Sequence, residues 1–242
     1  SMTTAQVAAI TTAQVDKLTV AQVQALTTGQ VAALTGDQIG KLTTTQVAAL
    51  SAKQIVGMET ADLAALSSDQ LQALSASAVA ALSTAQVASI TTAQVSKLTA
   101  NQVKALSATQ VAALTEAQVG ELTTTQVSAL SATQVKAMET ADVAKLSTSQ
   151  IQAVSASAVA AMTTAQVKAL TTTQAEKLTA GQVASLSATQ VTSLDTEDLA
   201  KFSSSQLQAL NATTVAALST AQVAALTTDQ IDKLTATQVK AL

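Results

Sequence analysis

The sequence predicts an all-α fold, a tight solenoid or superhelix of about thirty short capped helices, one per eight-residue repeat. Three observations predict it. From Met2 to Leu242, every eighth residue is Leu, Ile, Met, Val or Phe, with no insertion or deletion. Counting that residue as position 1, Ser or Thr fills position 2 in 26 of 30 octads, and Gln fills position 5 in 24 of 30. The charges also separate along the octad: 11 of 15 acids lie at positions 2 to 5, and 11 of 12 lysines at positions 7 or 8.

Ser or Thr followed three residues later by Gln is a capping box, in which each side chain satisfies the other residue's backbone N–H. The aliphatic residues at positions 1 and 6 then fall at the two places joined by a hydrophobic staple. In Leu218 through Ala225, Ser219 starts the helix, Gln222 closes the cap and Val223 staples to Leu218. Leu226 ends this octad and opens the next. Acid in the first turn and base in the last match the helix dipole. Each helix is expected to run from about position 3 to the next position 1, roughly two turns.

Other backbones fit less well. One continuous helix would rotate its Leu seam by roughly 80° per octad and bury no single face. A β-solenoid would set positions 1 and 6 on opposite faces, because they differ in parity. A lone octad cannot fold, since its Leu and Val do not offset the cost of ordering eight residues. Stability must come from stacking, as in other repeat arrays. Ala175 is the smallest residue at position 6 and is expected to be a soft spot.

Cys, His, Trp, Tyr, Pro and Arg are absent, and Phe202 is the only aromatic residue. Without thiol, imidazole or phenol there is no nucleophilic triad, zinc site or haem ligand of those types. The expected function is therefore non-enzymatic, with no cofactor. A net charge of −3, carried by scattered single charges, forms no basic stripe for nucleic acid or an anionic membrane. The apolar runs are too short to span a bilayer. Ser1-Met2 reads as a protease-cleavage scar, so the expected organisation is a scar at 1–2 and one continuous octapeptide-repeat solenoid over 2–242.

A second pattern overlies the first. Acid-bearing octads open superrepeat markers near 58–81, 138–161 and 194–217, each followed two octads later by one lacking Gln. Separations of 80 and 56 residues would be near-whole turns at about 3.4 octads per turn, and about 2.4 octads per turn fits nearly as well. The acids Glu59 and Asp62, Glu139 and Asp142, and Asp195, Glu197 and Asp198 are the only clustered chemistry. They could offer oxygens to Ca²⁺, but two or three carboxylates without a Gly-bearing loop are too few. The expectation is that they replace the Ser/Gln cap and bind no metal. The Gln column could read a ligand, but capping accounts for it without a partner.

The unit Leu-Thr-x-x-Gln-Val-x-Ala resembles the opening helix of TAL-effector DNA-binding repeats. The second helix, the base-reading loop and the longer period of those repeats are missing, so DNA reading is not implied. Over the whole chain the sequence is similar to Leu-Thr-x-x-Gln-Val octapeptide arrays in very large bacterial secreted or surface proteins, often labelled adhesins. That resemblance implies a spacer or stalk between flanking domains, in a secreted or cell-surface protein. A binding solenoid is the second expectation, engaging a peptide, a glycan or another copy of itself.

Overall fold

A computed structural model describes residues 2–242, so Ser1 of the expected scar lies outside the described residues. Thirty α-helices run from α1 (Thr4–Ala8) to α30 (Ala236–Ala241), each four to six residues long, and no strand occurs among the described residues. The chain divides into two compact units, Ser1–Ala129 and Leu130–Leu242.

Each helix begins where the octad predicts. In α9 (Ser68–Ala73), the Ser67 hydroxyl accepts from the Gln70 N–H at 3.2 Å, and Gln70 Oε1 accepts from the Ser67 N–H at 2.6 Å. This reciprocal cap removes two of the four orphan donors at the helix start. The corner between helices needs neither Gly nor Pro. Leu66 sits at φ −61°, ψ 140° and Ser67 at φ −66°, ψ 160°, two successive extended residues that any side chain can adopt. No described residue has positive φ.

Positions 1 and 6 form the core. Val47, Ile55, Leu63 and Leu71 have no exposed surface, and Leu50, Met58, Leu66 and Leu74 only 3 or 4 %. Ala175 is fully buried in the same column. Because each octad offers only two such residues, the core is thin and is shared between neighbouring coils.

Two sets of contacts stack the coils, and both skip the adjacent helices. In the first unit α6 (Thr44–Ala48) packs on α9, and in the second α17 (Ala132–Ala137) packs on α20 (Ala156–Ala161), three helices on in each case. The Thr28 hydroxyl donates to the Lys53 carbonyl, and Gln72 Nε2 to that of Lys97, each across 25 residues. A second set of bonds reaches 28 to 31 residues back, to the fourth helix before. One coil therefore holds between three and four octads, bracketing the 3.4 inferred from superrepeat spacing. Each unit is an all-α solenoid of capped helices.

At Gly57 two coils come close together. A Cβ added there would lie 2.5 Å from Thr28 Cγ2 and 2.8 Å from the Thr28 carbonyl oxygen. The position is helical in φ, so the glycine is required by proximity to the neighbouring coil and not by its backbone angles.

Candidate functional site

The most regular polar feature is the Gln column, and it is buried. From Gln30 onward these side chains expose 6 % or less of their surface. Each amide is divided between two tasks. In α11 (Thr84–Ser89), Gln86 Oε1 accepts from the N–H of Ser83, its own cap residue, at 2.8 Å. Its Nε2 turns the other way and donates to the carbonyls of Ile55 at 3.0 Å and Met58 at 2.8 Å, on the preceding coil. Gln182 repeats this in the second unit, donating to Ile151 at 2.7 Å and Val154 at 2.6 Å.

Those carbonyls belong to the last turn of a helix and to its corner residue, groups with incomplete intrahelical pairing. The glutamine thus caps the start of one helix and satisfies the end of another. Capping explains only half of the side chain, and the sequence held a signal for the rest. Glu closes a capping box as well as Gln does, yet Glu never occupies position 5. An acceptor suffices for the cap; the amide donor is what the coil beneath demands.

The acidic octads depart from this pattern. Asp62 and Asp142 each accept the N–H of Glu59 or Glu139 at 3.1 Å through Oδ2, as a Gln would. Both aspartates are buried, at 6 % and 3 % exposure. A carboxylate has no donor for the lower coil, and Asp is one methylene shorter than Gln. Asp198 instead has the hydroxyl-bearing Thr172, 26 residues earlier, beside it on the lower coil. At the equivalent place Asp62 meets Gly36, whose added Cβ would lie 3.9 Å from Oδ1, and finds no hydroxyl.

Burial holds the Asp62 carboxyl above the ordinary range; the Glu59 N–H opposes this and the Glu59 charge adds to it. Asp198 is also raised by burial, against the Thr172 hydroxyl and the Asp195 N–H and with the charges of Asp195 and Glu197. Asp195 and Glu197 face a shallow open groove shared with Ser219 and Gln222. No group of three or more acidic residues is placed to hold a metal ion among the described residues. Glu59 with Asp62 and Glu139 with Asp142 act here as variant capping boxes, whereas Asp195 makes no side-chain cap bond.

The remaining charges are at the surface, although Asp16 Oδ1 is buried without a hydrogen-bond partner. Lys17–Asp16 at 3.3 Å, Lys177–Glu176 at 2.8 Å and Lys233–Asp232 at 3.0 Å pair adjacent residues at the surface, where such pairs contribute little. No described helix is long and apolar enough to cross a membrane.

No curated protein matches the chain. The family model of the ALTTAQ repeat matches residues 1–28, 21–52, 55–92, 135–172, 191–228, 199–236 and 215–242, together most of the sequence. The family's name spells position 8 and then positions 1 to 5 of the octad, as in Ala161-Met162-Thr163-Thr164-Ala165-Gln166 with Met in place of Leu. With that phrase recurring along the array and thirty short helices built on its octad, the chain belongs to the ALTTAQ repeat family.

Proposed function

We propose that this array is a non-enzymatic structural module, a spacer or stalk segment of a bacterial surface or secreted protein. One observation carries the reading. The side chains best suited to recognise a ligand, the glutamines, are buried and engaged at both ends, by their own cap and by the coil beneath. What repeats most faithfully therefore serves folding. The solvent-facing positions carry a changing mixture of Thr, Ala, Ser, Lys and acid, with no acid–base pair or nucleophile to run a reaction.

The bacterial surface setting rests on the resemblance to octapeptide arrays of large exported proteins. Deleting residues 146–201, seven whole octads, tests the spacer role in a chain carrying a fluorescent reporter domain at each end. Energy transfer between the reporters should change while binding to cells, glycans or peptides does not. A ligand whose capture is lost with those residues would replace the spacer by a binding solenoid.

A further inference from the structure

The column of glutamine donors is interrupted inside each unit. In the first unit Gln54 serves the carbonyl of Leu26, Gln70 that of Leu42 and Gln86 that of Met58, at 2.9, 2.5 and 2.8 Å. Each acceptor is the corner residue that precedes a helix. The corner residues between them, Leu34 and Leu50, have Asp62 and Ala78 where the matching glutamine would stand, 28 residues on. An ionised carboxylate and a methyl group donate nothing, and no backbone N–H reaches either carbonyl among the described residues. Both leucines are buried, at 4 and 3 % exposure. In the second unit Leu170 and Leu186 stand in the same relation to Asp198 and Thr214, and are also buried. The Thr214 hydroxyl is turned to its own cap, donating to Asn211 Oδ1 at 3.1 Å.

The first interruption coincides with other weak points. The helix that carries Asp62, α8 (Thr60–Ala65), packs on α5 (Gly36–Lys41), which Leu34 precedes. Two of the six residues of α5 are Gly36 and Gly40, and glycine disfavours a helix more than any residue but proline. Over these glycines an open groove runs between the two helices, beside Ala65. At the position equivalent to Gly36, the Thr28 hydroxyl ties its coil to the Lys53 carbonyl of the next, and Gly36 has no hydroxyl to do the same. The α5–α8 contact therefore lacks both kinds of polar tie that join coils elsewhere in the unit.

We propose that each interruption is a seam, where neighbouring coils part locally while the rest of the unit stays folded, and that in the first unit the α5–α8 seam opens most readily. Once parted, α5 is too short to hold its own turns, and Leu34 and Ile39 meet water. The coils to either side keep their glutamine bonds, so the opening stays confined. The array thus yields at its marker octads and is stiff between them. This goes beyond the spacer reading and does not depend on it.

Native-state hydrogen exchange of the whole 242-residue chain at neutral pH, read by mass spectrometry of its peptides, tests the proposal. Amides of residues 36–41 and 60–65 should exchange about tenfold faster, or more, than those of 116–120 and 124–129. In these latter segments Gln118 and Gln126 reach the corner carbonyls of Ile90 and Leu98, both at 2.6 Å. Asp62→Gln supplies the donor for Leu34 and should slow the two fast segments about tenfold, leaving the rest of the unit unchanged. Asp62→Glu adds the same length without the donor and should leave them fast. Asp198→Gln and Asp198→Glu repeat the comparison at residues 172–177 and 196–200. Exchange at 36–41 and 60–65 no faster than at 116–120 and 124–129 overturns the proposal. So does equal slowing by the Gln and Glu variants, or slowing spread evenly through the unit. Should the variants at Asp62 not fold, those at Asp198 decide.

Discussion

Replacing Gln86 by Glu separates the two tasks of the column within one side chain. Glu retains an oxygen for the Ser83 N–H, so the cap survives. It removes the donor that serves Ile55 and Met58 at 3.0 and 2.8 Å and brings a carboxylate against two carbonyl oxygens. Two lost hydrogen bonds are worth about 1 kcal/mol each, and buried groups left unsatisfied add about 1–3 kcal/mol. The expected loss at neutral pH is about 3–5 kcal/mol. Burial raises the pKa of the new carboxyl, so protonation restores a donor; the loss is greatest at high pH and shrinks as pH falls through the folded pKa. Gln14→Glu is the internal control, because Gln14 caps Thr11 but has no coil beneath it. Its cost should stay within about 0.5 kcal/mol. Urea unfolding in dilute protein, at neutral and acid pH, reads both values. Equal losses at the two positions would show that capping alone explains the column.

Four further outcomes are expected. Gly57→Ala should destabilise by about 1–3 kcal/mol, because the added methyl meets the Thr28 backbone and cannot be relieved by a side-chain rotation; thermal melting measures it. The raised carboxyls of Asp62 and Asp198 release protons as pH rises through their folded values, so the stability tied to their protonated forms is full below their ordinary value of 3.8 and is lost on the way to neutrality. Asp62→Asn with Asp198→Asn should therefore melt above the native chain at pH 7 and converge with it toward pH 4, roughly, in a pH series of melts. Gly36→Thr should give Asp62 the hydroxyl that Thr172 gives Asp198, adding about 1 kcal/mol at neutral pH, read by the same melts. Deleting the whole octad Leu98–Ala105 should leave a cooperative melt, whereas deleting only Leu98–Asn101 should abolish it, since the shorter cut puts later caps and core positions out of frame.

Much of the fold was legible because its grammar is local. Ser67 and Gln70 cap within one turn, so a spacing of three residues predicts the helix start without knowledge of the tertiary structure. The acids at 62 and 142 could likewise be assigned to capping from their octad position, whereas the one at 198 closes no capping box. The corner was not legible, since the extended pair Leu66-Ser67 asks nothing distinctive of its side chains. Nor was the second task of the glutamines, because their partners lie 28 to 31 residues away and are backbone carbonyls, which every residue carries. Only the absence of Glu at position 5 hinted at a required donor. Gly57 was equally silent: its role comes from Thr28, on the neighbouring coil.

The one-way reach of the glutamine amides bears on how such a chain is made. Every bond of Gln86 or Gln182 points to residues already synthesised, none more than 31 positions earlier. A helix emerging from a ribosome or an export channel therefore finds the acceptors for its glutamine amide already behind it. Sequence separations of contacting residues stay short however many octads follow, so loop closure imposes no growing delay on folding. Lengthening the array adds more of the same step.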